Sequence, residues 1–235
     1  MLNSKILKNM ENKIEKIRKF AEKLLSNDKC SAHNIEHTDR VLKMAINLAK
    51  GEQVDLEVIK IAVLLHDIGG DKERKDSSGM TDHAVESAKI AEPFLKKLKF
   101  SQEKIQHILD CVISHRYRTD SKPKTKEAQI VFDADKLETV GAIGLARAFV
   151  WVGKNNAQIY KKVDIKKYAK ENLGGKINGR IQDKTKHSPQ INWETKDKFI
   201  VEYLFTDKAK EIAKQRMKFS ESFLDKLEQE VLGKE

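Results

Sequence analysis

The dipeptide His66-Asp67 is the first feature of this sequence whose residue types suggest chemistry. It directly follows residues 56–65, a segment in which nearly every side chain is apolar. A carboxylate and an imidazole are costly to bury at such a place unless a cation or a hydrogen-bonding partner compensates them. The two ligand types together suit divalent ions such as Mn²⁺, Fe²⁺, Co²⁺, Ni²⁺ and Zn²⁺. A single His-Asp pair is nevertheless more often a salt bridge or a helix cap, so the pair alone does not establish a metal site.

Three further residues of ligand type fall in neighbouring predicted helices. His37 lies in the first turn of one helix, and Asp133 and Asp135 lie inside the otherwise apolar segment 130–137. Carboxylates in such a segment need a partner. On a helix, positions 133 and 135 are about 200° apart, so one of the two can face a metal while the other faces away. The residue pattern does not decide which.

Taken together, these motifs resemble the HD-domain phosphohydrolases. That family is defined by a His, then a His-Asp pair, then a distant Asp, all binding a divalent metal inside a helical bundle. The matching stretches are HTDRV (37–41), LLHDIG (64–69) and DADKLE (133–138). The similarity continues in GAIGLARAF (141–149), which is similar to small nucleotide-hydrolysing HD proteins of bacteria and archaea. The combined pattern is specific, and the resemblance extends over residues 30–230, most weakly between 152 and 192.

The resemblance implies a ligand set and a fold. The fourth ligand is the Asp that precedes a basic residue and Leu, which is Asp135 rather than Asp133. The implied ligands of one divalent ion (Mn, Co, Ni, Fe, Mg or Zn) are therefore His37, His66, Asp67 and Asp135. The implied fold is an all-α HD-domain helical bundle closed by the C-terminal helices. The implied activity is hydrolysis of a small phosphate ester or anhydride, with a nucleotide favoured as substrate.

Five more residues are candidates for substrate binding or proton transfer. Arg40 and Lys136 each follow a ligand closely and could bind phosphate oxygens. His83 and His115 lie between the His-Asp pair and the last Asp, where some HD proteins hold a second metal; otherwise they are expected to contact substrate or to act as bases. Asp71 is a candidate for orienting or deprotonating water, although Gly70 replaces the acid usual in the family. The general acid and base therefore stay unassigned.

Several alternatives remain open at this point. A second metal at His83 and His115 would make a two-metal phosphodiesterase or a di-iron oxygenase conceivable. A basic helical protein that binds nucleic acid without catalysis is the non-enzymatic alternative, and a structural protein with a dead site is the least favoured. The substrate, its base preference and the choice between monomer and homodimer cannot be read from the sequence.

Composition favours helices and one domain. The 235 residues include only 3 Pro and 11 Gly, and Lys, Glu, Leu, Ile and Ala dominate, as is typical of α-helical proteins. We expect one domain over residues 1–235, with a metal-site core at about 30–150 and a C-terminal lobe at about 151–235. Predicted helices are an N-terminal one with an apolar stripe from Ile6 to Leu24, then 36–50, 56–65, 81–98, 101–115, 128–151, 194–204 and 207–232. In the helix over 128–151, Gly141 or Gly144 is the expected place of a bend. Loops are predicted at 71–79, as a mobile lid, and at 116–126 and 172–192.

The net charge and the N-terminal sequence indicate which ligands and which cellular location to expect. The formal charge is +10, from 46 Lys and Arg against 36 Asp and Glu, which favours phosphorylated ligands in general. Because the lysines alternate with glutamates, a solvated surface is a simpler interpretation than nucleic-acid binding. Neither a signal peptide nor a transmembrane run is recognised, so no membrane association and a cytoplasmic location are expected.

Overall fold

The structure, a computed structural model, describes residues 2–26, 34–76, 78, 80–116 and 121–234. Over these residues the backbone forms helices and no strand, which confirms the predicted all-α fold. The α-helices are α1 (Leu2–Leu25), α2 (Ile35–Leu48), α3 (Leu56–Leu65), α4 (Gly70–Lys75), α5 (His83–Lys97), α6 (Gln102–Ser114), α7 (Lys126–Lys136), α8 (Gly141–Lys154), α9 (Ile165–Asn172), α10 (Pro189–Thr195), α11 (Ile200–Tyr203) and α12 (Asp207–Val231). Among the described helices, none combines the length and apolarity needed to cross a membrane.

The chain divides into two compact units, Met1–Asp135 and Lys136–Glu235. The first unit contains helices α1 to α6 and most of α7, and the second contains α8 to α12. The predicted single domain, with a lobe that begins at about residue 151, stays a prediction.

Helix α3 is the centre of the first unit. Its residues 58, 59 and 61–65 are all buried, and it packs against α1, α2, α5 and α6. Asp55 caps the N-terminus of the helix, because its carboxylate accepts hydrogen bonds from the backbone N–H groups of Glu57 and Val58. A helix that is apolar on all sides is stable only inside a bundle. His66 and Asp67, which follow its last residue, are therefore delivered into the interior of this unit.

Helix α4 occupies part of the predicted loop over residues 71–79. That prediction is wrong for residues 71–75, which are helical. The helix has no buried residue, so the sequence contains no apolar pattern that would predict it. It is stabilised by ion pairs instead: Lys75 Nζ lies 2.6 Å from Asp71 Oδ2, and Lys72 Nζ lies 2.8 Å from Glu86 Oε2 on α5. Residues 77 and 79 lie outside the described part of the chain.

The predicted helix over residues 128–151, with a bend at Gly141 or Gly144, is wrong as a single helix, because it is interrupted between α7 and α8, next to Gly141. A 3-10 helix spans Leu137–Thr139, and Val140 is extended. Gly141 has a φ of +81°, a left-handed conformation that glycine adopts without strain. Its N–H donates a 2.8 Å hydrogen bond to Ser220 Oγ on α12. The break therefore starts a new helix in the second unit.

The C-terminal predictions are partly correct. The predicted loop over 172–192 is shorter, because α10 begins at Pro189, where Ser188 caps the helix by accepting from Ile191 N–H. The predicted helix over 194–204 is interrupted by a 3-10 helix at Asp197–Phe199. The final predicted helix, 207–232, corresponds to α12 within one residue.

Asp197 is a buried acid in the second unit, only 8% exposed. Burial raises its pKa to about 6 from the ordinary 3.8, even though Asn192 donates to Oδ2. A carboxyl whose pKa is raised on folding stabilises the fold below its unfolded pKa, and this stability is lost as the pH rises through the folded pKa. The window is therefore about pH 4 to 6.

We expect Asp197→Asn to remove this pH dependence. Relative to the variant, the wild-type free energy of unfolding should fall by up to about 3 kcal/mol between pH 4 and pH 7. Urea unfolding of both proteins at several pH values measures the difference. A constant difference across this range would show that Asp197 is not the titrating group.

Candidate metal centre

His66 is fixed at the end of α3 with one ring nitrogen directed into the unit. Its Nδ1 lies 2.7 Å from the carbonyl oxygen of Val63; since a carbonyl only accepts, Nδ1 carries the proton. Burial lowers the pKa of His66 to about 4, against the opposing effect of Asp67, so the ring is neutral at pH 7. Nε2 is buried and has no hydrogen-bond partner within the described part of the chain. A neutral imidazole nitrogen in that state is suited to bind a metal.

Asp67 Oδ2 belongs to a first group of ligand-type atoms. It lies 3.4 Å from His66 Nε2 and 3.8 Å from His37 Nε2. Asp135 Oδ1 completes the group at 3.3 Å from His37 Nε2 and 3.9 Å from His66 Nε2. His37 and His66 are almost inaccessible, with side chains 1% exposed. The two carboxylates predicted as metal ligands thus each lie 3.3–3.9 Å from the Nε2 atoms of both histidines.

Asp67 Oδ1, the other oxygen of the same carboxylate, belongs to a second group. It lies 3.5 Å from His83 Nε2 and 3.5 Å from His115 Nε2, and these two nitrogens are 3.2 Å apart. His115 Nδ1 lies 2.5 Å from the carbonyl oxygen of Val112, so its Nε2 carries a lone pair. His83 is the more accessible histidine, with a side chain 21% exposed.

Both groups have the spacing and chemistry that a divalent ion requires. Adjacent ligands bound at about 2.0–2.2 Å to one ion lie roughly 2.8–3.6 Å apart, which is close to the 3.2–3.9 Å seen in the two groups. Imidazole and carboxylate suit Mn²⁺, Fe²⁺, Co²⁺, Ni²⁺ and Zn²⁺. The groups His37, His66, Asp67 and Asp67, His83, His115 each bring their ligand atoms within 4.8 Å of one another. The residues present therefore fit a metal centre.

His83 is held by residues that the sequence analysis did not single out. Its Nδ1 lies 2.6 Å from Glu73 Oε2 on α4, and Arg116 Nη2 lies 2.7 Å from Glu73 Oε1. Burial opposes ionisation of Glu73, but His83 and Arg116 outweigh it and lower the pKa of Glu73 to about 2. Burial likewise disfavours the charged form of His83, but Glu73 and Asp67 outweigh it and raise the pKa of His83. No signal in the sequence pointed to Glu73, because it lies in the stretch interpreted as a loop.

The remaining predicted site residues lie in helices of the two units. Asp71 is on α4, where Lys75 lowers its pKa, and among the described residues it is in neither ligand group. Arg40 is half-buried on α2, and Lys136 is the buried last residue of α7. The catalytic role of Asp71 and the phosphate-binding roles of Arg40 and Lys136 stay predictions.

Comparison with known proteins identifies a domain family and several relatives. Residues 34–140 match the model of the HD domain family. An uncharacterised protein of Bacillus subtilis (strain 168), YpgQ, is 27% identical over 224 residues, which are 93% of this chain and 94% of the relative. A solved Bacillus thuringiensis protein described as an HD-superfamily hydrolase is 26% identical, with a TM-score of 0.66 over 94% of this chain and 97% of that chain.

Residues 34–140 of this chain form an HD domain. The HD match includes His37, His66, Asp67, His83, His115 and Asp135. A solved structure of B. subtilis YpgQ in complex with ADP, 21% identical, shares the fold with a TM-score of 0.68, covering 94% of this chain and 96% of that chain. In this structure, histidines from α2, α5 and the ends of α3 and α6 meet at the carboxylate of Asp67.

Proposed function

We propose that this HD protein is a metal-dependent hydrolase of phosphate ester or anhydride bonds in a nucleotide. The observation that carries the proposal is the buried convergence of His37, His66, Asp67 and Asp135, with contacts of 3.3–3.9 Å between imidazole nitrogens and carboxylate oxygens. Support for a nucleotide comes from the relative YpgQ, which has been solved with ADP, and more weakly from the net charge of +10.

The side chains of the site would have separate roles in binding the metal, the phosphate and the proton. His37, His66, Asp67 and Asp135 would hold the ion, which supplies Lewis-acid stabilisation of phosphate charge and lowers the pKa of water. Arg40 and Lys136 would bind phosphate oxygens, Arg40 through its planar fork and Lys136 as a point charge. His115 Nε2, whose lone pair is set by the Val112 contact, would accept a proton or bind a second ion, and Asp71 is the further candidate for orienting water.

A panel assay tests the proposal. Nucleoside mono-, di- and triphosphates are incubated with the protein and Mn²⁺, Co²⁺, Ni²⁺, Mg²⁺ or Zn²⁺ in turn, and the products are separated as phosphate or pyrophosphate. We expect turnover of at least one nucleotide that depends on the added ion and is abolished by chelator. Absence of turnover with every ion would overturn the proposal.

Arg40→Ala and Lys136→Ala should raise KM in the same assay, because each substitution removes a cation proposed to bind phosphate oxygens. An unchanged KM would show that the substituted residue does not bind the phosphate.

A two-ion phosphodiesterase is the second candidate. The group formed by Asp67, His83 and His115 favours it, because two ions sharing a carboxylate can stabilise both the attacking and the leaving oxygen of a phosphodiester. Hydrolysis of a dinucleotide that exceeds hydrolysis of every mononucleotide would favour this candidate over the first.

A further inference from the structure

Glu73 connects three separate elements of the first unit through its two carboxylate oxygens. It lies on α4, contacts His83 at the first position of α5 with Oε2, and contacts Arg116, just after α6, with Oε1, at 2.6 and 2.7 Å. Arg116 Nη1 also lies 2.9 Å from Asp82 Oδ1. Asp82 is the N-cap of α5 and accepts from the N–H groups at the start of that helix. Glu73 and Arg116 therefore fix the position of the residue that begins α5.

The Glu73 contact also determines which ring nitrogen of His83 is available. A carboxylate only accepts hydrogen bonds, so His83 Nδ1 must donate. The lone pair of the neutral ring is then on Nε2, which is 3.5 Å from Asp67 Oδ1 and 3.2 Å from His115 Nε2. The Nε2 of His115 carries a lone pair as well, so a cation between the two neutral rings would be attracted by both nitrogens.

Glu73 differs from the groups that orient His66 and His115. Those two rings donate to main-chain carbonyls three residues earlier, Val63 and Val112, at 2.7 and 2.5 Å. His83 is oriented by a charged side chain, which makes an imidazole ligand more basic. A substitution can remove a carboxylate but not a carbonyl. Glu73 is thus a position at which the second ligand group can be altered without touching the first.

We propose that Glu73 is a positioning residue for a second divalent ion, held by Asp67 Oδ1, His83 Nε2 and His115 Nε2. It orients His83 toward that ion, and Arg116 keeps Glu73 in place. The inference rests on the proposed function only in that both require metal binding, and it makes no statement about the substrate.

Counting bound Mn²⁺ tests the inference. Wild type, Glu73→Gln and Glu73→Ala are purified without chelator, titrated with Mn²⁺ and analysed by mass spectrometry for metal content and by electron paramagnetic resonance for coupling between neighbouring ions. We expect two ions and a coupled signal in the wild type. Glu73→Gln should lower the affinity for the second ion by about 10–100-fold and leave the affinity for the first ion unchanged. Glu73→Ala should lower the affinity for the second ion further. The amide oxygen of Gln can still accept a hydrogen bond from His83 Nδ1, whereas Ala has no acceptor.

Glu86→Gln is the matched control. Glu86 forms another ion pair between α4 and α5, with Lys72 at 2.8 Å, but it pairs with Lys72 and Lys89 rather than with a histidine. We expect two ions in this variant, as in the wild type. Equal loss of the second ion in Glu86→Gln and Glu73→Gln would show that only the attachment of α4 matters and would overturn the positioning role.

Two further outcomes would overturn the inference: a wild type that binds one ion at saturating Mn²⁺, or a Glu73→Gln variant that binds two ions with wild-type affinities. Retention of the first ion reports that each variant is folded. Since none of these measurements uses a substrate, a negative nucleotide panel would overturn the proposed function and leave this inference standing, and the reverse also holds.

Discussion

Replacing Asp67 by alanine is expected to abolish binding of both ions and to lower nucleotide turnover at least about a thousandfold, or about 4 kcal/mol of transition-state stabilisation. The reason is that, of the residues that the structure describes, Asp67 alone contributes to both ligand groups, with Oδ2 toward His66 and Oδ1 toward His83. Steady-state kinetics and metal counting on the same preparation measure the two effects together.

Asp110→Ala is the control for this substitution. Asp110 is an exposed residue of α6, the helix that precedes His115, and it accepts a hydrogen bond from Gln106. It should retain the wild-type metal content and turnover. If Asp67→Ala kept even a tenth of the wild-type turnover, the metal centre could not be the catalytic site.

Replacing Gly69 by alanine should disturb the packing of α5. A Cβ at this position would lie 2.5 Å from Ser87 N, 2.7 Å from His83 O and 2.9 Å from Glu86 C, all backbone atoms of α5. Backbone cannot move aside as a flexible side chain can, so α5 must shift. We expect a loss of about 1–3 kcal/mol in the free energy of unfolding, as for an overpacked core, together with weaker binding of the second ion because His83 moves.

Gly70→Ala provides the comparison one residue away. A Cβ there would meet Arg74 Nη1, the end of a flexible side chain, at 3.0 Å. The free energy of unfolding should change by no more than about 0.5 kcal/mol. Urea unfolding and metal counting distinguish the two glycines, and equal results would show that close contact of Gly69 with α5 is not required.

The sequence was most informative where local pattern and burial agree. The bounds of α3 were predicted correctly, because the polar residues on either side of an apolar run mark where the buried helix begins and ends. Helices α6 and α12 were also predicted to within about one residue, because Ser101 and the pair Thr206-Asp207 give clear starts. His66 and Asp67 were recognised for the same reason, since they interrupt such a run.

The sequence was least informative where a tertiary contact decides the local structure. Helix α4 has no apolar face, and the ion pair from Lys72 to α5 that stabilises it cannot be seen before the fold is known. A bend at Gly141 or Gly144 was predicted, but the full interruption at Gly141 was not, because a glycine inside an apolar segment is compatible with both a bent helix and a left-handed turn. Glu73 was missed with α4, because its partners lie on other elements.

The choice between Asp133 and Asp135 shows how the two kinds of information combine. Helical periodicity separated the two carboxylates but could not say which faced the histidines. Resemblance to the family favoured Asp135, and the structure places Asp135 Oδ1 3.3 Å from His37 Nε2. Asp133 is also buried, so burial alone would not have distinguished them.

The unequal burial of the two ligand groups would make the metal content of the protein depend on supply. Side chains of His37 and His66 are 1% exposed, whereas that of His83 is 21% exposed. An ion beside His83 would exchange with solvent first. The two ions could not load independently, because the first would neutralise part of the Asp67 charge that attracts the second. A cell short of the metal would therefore contain a one-ion form of the protein, and activity that needs both ions would appear only at metal concentrations above those that fill the first site.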